Sequence, residues 1–409
     1  MHTVTKVTTS VKAFSLKAGD GTDSVHTDPV YSYAVTHLHT DSKIDGTGIV
    51  FTIGAGNKEI CSLIEGLAVS LVGCEIEELM SQFGVTFRQM ADHPQYRWLG
   101  PHKGMVHLAL ASITNACFDL WAKSRGLPLW RLLLDLSAEQ IVNTLDLSYL
   151  EEALTREDAL GLLNSHQSSR SAREGVLGKG YPGYDTSIGW FNYSDEQVRE
   201  NVKKAVAAGF TAMKLKIGSA DAARDIRRAY IVREGAGDDA RVMLDVNQVW
   251  SLPKAIRVSK ELAGMSPYWI EEPTQPDDVL AHQTLAREIA PIDIALGEHV
   301  SNRVMFKNFM QAEAVKFVQV DCTRVGGVSE FITVSLLARK FGLPVVPHVG
   351  DMGQIHQHLV LFNHIAMGHE AIFLEYIPHL REYFLHPAVV SDGIYEIPQE
   401  PGSSSDFVC

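Results

Sequence analysis

The sequence contains few cysteines and no long apolar run. Its five cysteines stand at positions 61, 74, 117, 322 and 409, and no two of them form a CxxC pair. This argues against a disulfide framework or a thiolate zinc site and favours a reducing compartment. No uncharged apolar stretch reaches the roughly 18 residues that a membrane span needs, and MHTVTKVTTS at the start lacks the apolar region of a signal peptide. We therefore predict a cytoplasmic protein that has no membrane partner.

Basic residues are the minority among the charged ones. The chain has 36 Lys and Arg against 49 Asp and Glu, which gives a formal net charge of -13. Binding to nucleic acid needs a basic surface patch, and no basic run is present, so we exclude nucleic acid as a partner. No GxGxxG or GxxxxGK[ST] motif follows a predicted strand, so nucleotide binding is not indicated either.

Charged residues follow short apolar runs at nearly even intervals in the C-terminal half. They are Asp245, Glu271, Glu298, Asp321 and His348, separated by 26, 27, 23 and 27 residues. Such an interval accommodates a strand, a helix and two turns, and it predicts successive βα units of a parallel barrel. Lys214 and Lys216 lie about one unit upstream, and Glu375 lies 27 residues after His348. Each strand from the second to the eighth would therefore carry a functional group at its exit.

The length of the chain requires more than a barrel. Its 409 residues exceed the roughly 250 of a (β/α)₈ barrel. Residues 3–53 alternate as strands do, and apolar residues at helical spacing follow as far as Gly126 and Pro128. We predict an α/β fold, namely a modified TIM barrel with an N-terminal α+β capping domain. The expected boundaries are 1–140 for the cap, 141–183 for a connector, 184–386 for the barrel and 387–409 for a tail that packs back on the cap.

Three of the strand-end residues are carboxylates on consecutive strands. Asp245, Glu271 and Glu298 would converge on one side of the barrel mouth, where like charges repel unless a cation joins them. A site made only of oxygen ligands suits Mg²⁺ or Mn²⁺. The alternative is a chance placement of acids, but acids on helix surfaces would not follow apolar strand cores.

Two lysines stand two positions apart on a predicted strand. Lys214 and Lys216 would point the same way, into the barrel mouth. Mutual repulsion and a nearby cation would lower the pKa of one of them, as a lysine base requires. The alternative is a pair whose ammonium groups extend to solvent.

His348 follows Asp321 by one βα unit, which predicts a hydrogen-bonded dyad in which Asp321 selects the imidazole tautomer. A single histidine would otherwise be a satisfied core residue. Glu375, if burial kept it protonated, would donate a hydrogen bond to substrate. Histidines 356, 358, 364 and 369 fall in a predicted helix after strand seven. We interpret them as surface or packing residues.

Several motifs resemble the enolase superfamily, in its mandelate-racemase branch. They are KLK at 214–216, LDVNQ at 244–248, WIEEP at 269–273 and GEH at 297–299, together with the Asp321–His348 dyad. GTDSVHTDPVYS, RWLGPHKGMVHLA and NACFDLWAK further resemble the L-fuconate dehydratase subfamily, which includes fungal L-galactonate dehydratases. The resemblance covers nearly the whole chain.

This resemblance implies a ligand set and a reaction. Mg²⁺ would be held by Asp245, Glu271 and Glu298, and the substrate, a sugar acid, would be contacted by Gly21, Thr22, Asp23 and Tyr31 from the cap and by Lys214, Glu298, His348 and Glu375 from the barrel. We also expect a homo-oligomer.

The implied reaction is loss of water from an aldonate of the L-fuconate or L-galactonate type. The cation would bind the C1 carboxylate and the C2 hydroxyl and stabilise an enediolate. Lys216 would remove the C2 proton, and His348, held by Asp321, would protonate the departing C3 hydroxyl to give a 2-keto-3-deoxy acid. Lys214 and Glu375 would bind the carboxylate.

One stretch departs from the subfamily pattern. After the histidine the subfamily has an Ala/Ser-Gly-Gly-Val-Gly-like run, whereas this chain reads VGDMGQIHQH. Asp351 and Met352 thus replace small or apolar residues near the predicted pocket. A carboxylate at position 351 would bond to a sugar hydroxyl or repel an acid, so we expect this stretch to affect which sugar is accepted.

Three other functions are compatible with parts of the pattern. A racemase, epimerase or cycloisomerase would use Lys216 and His348 as two bases through the same enediolate. A metal-dependent hydrolase barrel would need HxH on its first strand, which YDTSIGWF lacks. A sugar-acid binding protein without turnover would have lost its bases, and here both are present.

Overall fold

The computed structural model describes residues 2–408, and its N-terminal part is a three-stranded antiparallel sheet. The strands are β1 (Val4–Ser15), β2 (Val30–Thr40) and β3 (Gly46–Thr52), in the order β1-β2-β3. Every residue of β3 is buried, because α5 packs on one face of the strand and Ile49 and Phe51 on the other face join an apolar cluster with Leu380 and Phe384. The structure thus confirms the antiparallel sheet that the alternation over residues 3–53 predicts.

Helices of the cap pack on this sheet. They are α1 (Asn57–Ala68), α2 (Ile76–Ser81), α3 (Phe83–Ala91), α4 (Pro94–Leu99), α5 (Gly104–Ser124), α6 (Leu129–Asp135) and α7 (Ala138–Asn143). By length and composition α5 could cross a membrane, but 89% of its most apolar window is buried inside the fold. A Cβ at Gly48 would lie 2.0 Å from the Ser112 carbonyl oxygen, so glycine is what lets β3 approach α5 so closely.

Three short helices join the cap to the barrel. They are α8 (Arg156–Ser165), α9 (Arg170–Arg173) and α10 (Val176–Lys179). The first begins at a capping box, in which Thr155 accepts from the Asp158 backbone and the Asp158 carboxylate accepts from the Thr155 N–H.

The barrel alternates strands and helices around a closed parallel sheet. Its strands are β4 (Tyr181–Gly189), β5 (Ala212–Lys216), β6 (Arg241–Asp245), β7 (Trp269–Glu271), β8 (Ile294–Leu296), β9 (Phe317–Val318) and β10 (Leu374–Tyr376). Its helices are α11 (Asp195–Ala207), α12 (Ala222–Ala236), α13 (Leu252–Leu262), α14 (Val279–Glu288), α15 (Arg303–Gln311), α16 (Val328–Lys340) and α17 (Ile355–Met367). Single 3₁₀ turns occupy Val69–Leu71, Ala263–Met265 and Arg381–Tyr383.

The barrel is modified at its seventh strand position, which is reduced to a parallel bridge between Val318 and Val345. The last strand, β10, pairs with β4, so the sheet returns on itself. Side chains from successive strands fill one interior layer, as is typical of this fold; the layer consists of Tyr184, Ala212, Met243, Trp269, Ala295, Phe317, Val346 and Phe373. The predicted α/β class and modified barrel are confirmed. The first barrel strand begins at Tyr181, three residues before the predicted start.

The C-terminal tail contacts both halves of the molecule. A hairpin of β11 (Val390–Ser391) and β12 (Ile394–Tyr395) pairs antiparallel with β4. Further on, the Ser403 backbone N–H donates to Asp119 of α5 over 2.7 Å. The four cysteines among residues 2–408 carry free thiols; Cys409 lies outside the described range.

Candidate functional site

A cleft lies between the carboxyl ends of the barrel strands and the cap. The barrel contributes Lys216, Glu298, His348 and Glu375, and the cap contributes Gly21, Asp23 and Tyr31. The other lining residues are Val25, His26, Phe51, Ile53, Trp190, Asn247, Gln248, His299, Arg324, Gly350 and Ile377. Parallel strands end on one edge of a barrel, which is why residues more than 150 positions apart meet here.

Both lysines of β5 face carboxylates of neighbouring strands. Lys214 Nζ lies 2.7 Å from Glu271 Oε1 and 2.7 Å from Glu375 Oε1. Lys216 Nζ lies 2.6 Å from Asp245 Oδ2. Lys214 has no exposed surface and does not line the cleft. Lys216, the last residue of β5, lines the cleft. Of the two, only Lys216 is placed to meet a substrate.

The expectation that one lysine has a lowered pKa is not met in this structure. Burial lowers the pKa of Lys214, but Glu271 and Glu375 outweigh it and raise the value well above the ordinary 10.5. The same holds for Lys216, whose pKa is raised chiefly by Asp245 against the effect of burial. The prediction counted repulsion between the lysines and a divalent cation beside them, whereas in this structure the carboxylates surrounding the lysines are the stronger influence.

The three predicted metal ligands lie at consecutive strand ends. Asp245 and Glu271 are direct partners in the pairing of β6 with β7, and Glu298 follows β8 by two residues. Glu271 Oε2 also accepts hydrogen bonds from Trp269 Nε1 and Gln319 Nε2. Burial, outweighing Lys214, raises the pKa of Glu271 to about 8.

The carboxylates of this trio are turned toward cations of the chain rather than toward each other. Within residues 2–408, the groups of His, Cys, Asp and Glu whose ligand atoms lie within 4.8 Å of one another are Glu272–Glu298–His299 and Asp321–Cys322–His356. Glu298 Oε2 lies 2.7 Å from His348 Nε2, and its Oε1 lies 3.1 Å from His299 Nδ1. The donor set of Asp245, Glu271 and Glu298 consists only of oxygen, which fits Mg²⁺, whereas a nitrogen-containing set suits transition metals better.

The predicted dyad is present. His348 Nδ1 lies 2.8 Å from Asp321 Oδ2, and since a carboxylate only accepts, Nδ1 carries the proton and Nε2 faces the cleft. Asp321 itself is buried beneath the cleft. Burial raises its pKa, but His356 and His348 outweigh this and hold the value well below the ordinary 3.8. Asp321 is therefore an ionised acceptor.

The interpretation of His356 as a surface or packing residue is wrong. Its Nε2 lies 2.8 Å from Asp321 Oδ1, so Asp321 is shared by two imidazoles. The signal was available in the sequence, because His356 falls in the first turn of the helix that follows strand seven and so lies beside the strand ends. His358 and His369 are buried packing residues as interpreted, and His364 is partly exposed.

Glu375 lines the cleft but is not the neutral donor that its burial suggested. Its Oε1 accepts from Thr186 over 2.5 Å and from Lys214, and its Oε2 accepts from the Val349 N–H over 3.2 Å. Burial raises its pKa, but Lys214 and His348 outweigh this and lower the value below the ordinary 4.5. Glu375 therefore faces the cleft as a carboxylate.

The cap residues divide into two groups. Gly21, Asp23 and Tyr31 reach the cleft, and a Cβ at Gly21 would lie 3.0 Å from the Tyr31 hydroxyl oxygen. Asp23 is held by the backbone N–H of Val25 and by His26. Thr22 does not line the cleft, because its hydroxyl donates to Gly19 O and accepts from the Asn192 N–H. It shapes the loop that carries its neighbours.

Asp351 also lies outside the cleft lining, contrary to the expected sugar contact. Tyr33 donates to its Oδ2 over 2.6 Å, and the Gly353 N–H donates to its Oδ1 over 2.7 Å. Both oxygens are thus used inside the interface between cap and barrel. Gly350 lines the cleft instead, and a Cβ there would lie 3.1 Å from the Phe51 ring.

Several lining residues are not among the site residues predicted from the sequence. Trp190 follows β4, and its ring centroid lies 5.9 Å from Lys216 Nζ. Arg324 donates to the carbonyl oxygens of Glu298 and Phe51, and so joins barrel and cap at the cleft. His299 lies against Glu272 and Glu298, which outweigh burial and raise its pKa to about 10. Trp190 follows the first barrel strand, which has no member in the series of charged strand-end residues. His299 directly follows Glu298, and Arg324 lies three residues after Asp321.

Known proteins share this architecture. A family model described as "Enolase C-terminal domain-like" matches residues 197–407. The crystal structure of human "mitochondrial enolase superfamily member 1" superposes with a TM-score of 0.97 at 39% identity, covering 100% of this chain and 94% of that one.

Proteins named as dehydratases are also similar. The "L-galactonate dehydratase" of Hypocrea jecorina is 39% identical over 95% of this chain and 88% of its own length. The "L-talarate/galactarate dehydratase" of Salmonella typhimurium LT2, solved with Mg and L-lyxarohydroxamate, has a TM-score of 0.77 at 24% identity and covers 100% of this chain and 90% of its own, which shows the shared fold. The family match, the identities over nearly the full length and the barrel with its cap together establish that this chain belongs to the enolase superfamily.

Proposed function

We propose that this chain is a Mg²⁺-dependent acid-sugar dehydratase that converts an L-galactonate- or L-fuconate-type aldonate into a 2-keto-3-deoxy acid. The observation that carries the proposal is the meeting of Lys216 and His348 in one cleft with the carboxylates of Glu298 and Glu375. The Hypocrea jecorina relative, named L-galactonate dehydratase, supports the choice of substrate class.

Asp245, Glu271 and Glu298 would hold the cation. Their oxygens are the ligand type that Mg²⁺ prefers, and they follow neighbouring strands. The Salmonella typhimurium dehydratase of the same fold was solved with Mg, which supports this assignment. When bound there, the cation supplies Lewis-acid charge beside the substrate carboxylate.

The residues of the chain supply the proton transfers. Lys216 Nζ faces the cleft and, as the neutral amine, takes the C2 proton of the aldonate; a cation held by Asp245 would counter the carboxylate that raises the pKa of Lys216. The Nδ1–H of His348 donates a hydrogen bond to Asp321. His348 carries the reactive proton on Nε2 and gives it to the departing C3 hydroxyl. The Trp190 ring beside Lys216 and the Tyr31 and Phe51 rings form an apolar part of the cleft wall. The resulting enol becomes the 2-keto-3-deoxy acid.

Product analysis tests this function. Purified protein is incubated with Mg²⁺ and a panel of aldonates that includes L-galactonate and L-fuconate, and products are identified by mass spectrometry. We expect loss of one water from at least one of these substrates. Deuterium exchange at C2 without any loss of water would instead identify a racemase or epimerase that uses Lys216 and His348 as two bases.

Variants of the two proton-transfer residues test their roles. Lys216→Ala and His348→Ala are each expected to lower kcat by about 10²–10⁴-fold, because each removes one general acid or base. Lys203→Ala serves as a matched control, since Lys203 is exposed and pairs only with the exposed Glu200. Mg²⁺ binding, measured by calorimetry, should persist in Lys216→Ala. A wild-type rate in either active-site variant would contradict the assignment.

We further propose that the protein is a cytoplasmic homo-oligomer that takes part in sugar-acid breakdown. The human relative is named mitochondrial, so fractionation of cells that express the tagged full chain decides between the two compartments. Analytical ultracentrifugation of the purified chain gives the number of subunits.

A further inference from the structure

Asp321 has more hydrogen-bond donors than a simple dyad needs. Its Oδ2 accepts from His348 Nδ1 over 2.8 Å. Its Oδ1 accepts from the Thr323 N–H and hydroxyl, each over 2.7 Å, and from His356 Nε2 over 2.8 Å. Asp321 is 1% exposed, so its carboxylate is solvated by these donors and not by bulk water.

His356 is directed at Asp321 alone. It lies in the first turn of α17, is 2% exposed and has a buried Nδ1 without a hydrogen-bond partner in this structure. Because a carboxylate accepts only, the Nε2 atom that faces Asp321 is a donor. Within residues 2–408, the bond to Asp321 is therefore the hydrogen bond that the His356 imidazole makes.

The two imidazoles act on one carboxylate from different elements. His348 follows the reduced seventh strand, and His356 belongs to α17, which begins seven residues later. Without His356, Oδ1 would be held only by Thr323, which lies two residues from Asp321 in the same loop, whereas the His356 donor ties the carboxylate plane to a separate element, α17. That plane sets the direction of the His348 ring and the position of its Nε2 in the cleft.

We propose that His356 is a positioning residue, which holds the second oxygen of Asp321 so that the Asp321–His348 pair keeps Nε2 aimed at the leaving group. The proposal rests on the proposed function, because His348 is the acid of that reaction. His356 does not line the cleft, so it acts through Asp321 and His348.

Two substitutions of equal length separate the hydrogen bond from the packing. His356→Gln keeps an N–H donor near the position of the imidazole Nε2, and His356→Met fills the same space without a donor. We expect His356→Met to lower kcat for dehydration by about 10–100-fold, the usual cost of losing such a supporting partner. KM should stay unchanged, and His356→Gln should recover most of the wild-type rate.

A partial reaction adds a readout that a merely structural role would not change. Lys216 contacts neither His356 nor Asp321, so exchange of the C2 proton in D₂O should continue in His356→Met while dehydration falls. His358→Met is the control, because His358 is a buried histidine on the same helix that accepts from the Trp130 N–H instead. It should lower the melting temperature and leave kcat unchanged.

The outcomes distinguish this proposal from the proposed function. Wild-type dehydration together with equal rates in His356→Met and His356→Gln would overturn the role of His356 alone. If the wild type dehydrates no aldonate, the proposed function fails, and ¹⁵N-histidine NMR decides on His356. The spectrum should show a proton on His356 Nε2 and on His348 Nδ1, and the latter should be protected from solvent exchange in the wild type and in His356→Gln. An unprotonated His356 Nε2 would overturn the proposal even if no variant folded.

Discussion

At the scale of single residues, the site is a set of carboxylates whose charge is balanced by side chains of the same chain. Lys214 balances Glu271 and Glu375, Lys216 balances Asp245, and His348 balances Glu298. Each partner stands on a neighbouring or nearby strand, as the ladder of strand-end residues predicts. The orientation of each side chain was not predictable, because it depends on which of several charges within reach is nearest.

The choice between two neighbouring glutamates tests the metal assignment. Glu271 belongs to the set of oxygen ligands, whereas Glu272 belongs to the cluster with Glu298 and His299. We expect Glu271→Gln to weaken Mg²⁺ binding by about 10–100-fold or more, because a charged ligand is lost, and Glu272→Gln to weaken it less. Calorimetry with Mg²⁺ on protein treated with a chelator measures both. The reverse order would place the cation in the histidine-containing cluster.

At the scale of secondary-structure elements, β2 of the cap carries two tyrosines with different tasks. Tyr31 and Tyr33 stand two positions apart, so both point to the same side of the sheet. Tyr31 lines the cleft, whereas Tyr33 donates to Asp351 in the loop after His348. Since Val349 and Gly350 of that loop contact Glu375 and the cleft, this bond helps to hold one wall of the site.

Conservative substitutions separate these tasks. Tyr33→Phe leaves Asp351 with one hydrogen bond in a buried place, and we expect a loss of about 1–3 kcal/mol in the free energy of unfolding with little change in KM. Tyr31→Phe should raise KM for the aldonate and leave stability close to that of the wild type. Urea unfolding and steady-state kinetics measure the pair. A Tyr33→Phe variant as stable as the wild type would mean that the bond to Asp351 contributes nothing net.

At the scale of the whole molecule, a buried charge network joins the cap, the connector and the barrel. Arg303 of α15 donates to Glu330 over 3.0 Å and to Asp146 over 2.6 Å. Glu330 of α16 also lies 2.5 Å from His107 Nε2 of the cap helix α5. The side chains of Arg303, Glu330 and His107 are at most 2% exposed. The network therefore contributes to the relative placement of the two halves that form the cleft.

Removal of the positive charge of Arg303 from this network should destabilise the whole fold. Arg303→Met leaves Asp146 without its buried cation and Glu330 with His107 as its remaining partner, and we expect a loss of about 3–5 kcal/mol in the free energy of unfolding. Arg257→Met is the matched control, because Arg257 forms an exposed pair with Glu261 that contributes only about 0.3–0.5 kcal/mol. Urea unfolding followed by circular dichroism measures both. Equal losses in the two variants would contradict a structural role for the network.

The network also predicts a dependence of stability on pH. Burial raises the pKa of Glu330, but His107 and Arg303 outweigh this and hold it well below the ordinary 4.5. Because the folded-state pKa is the lower one, the stabilisation is present above 4.5 and is lost as the pH falls toward the folded-state value. We expect Glu330→Gln to be less stable at neutral pH and to lose less stability on acidification. A parallel decline of both proteins with acid would show that other carboxylates dominate.

The sequence by itself determined the barrel, the cap and the residues at the strand ends. Strand periodicity and the spacing of Asp245, Glu271, Glu298, Asp321 and His348 are local properties, since a parallel βα unit needs a fixed length of chain and places its last residue at the same edge. Tertiary structure alone decided which of these groups pair and which reach the cleft. In the folded chain, Asp351 and Thr22 do not line the cleft, Asp245 and Glu271 pair with the lysines of β5, and His356 donates to Asp321. These outcomes depend on burial and on competition between several charges within a few ångströms, and such competition exists only after distant segments have packed together.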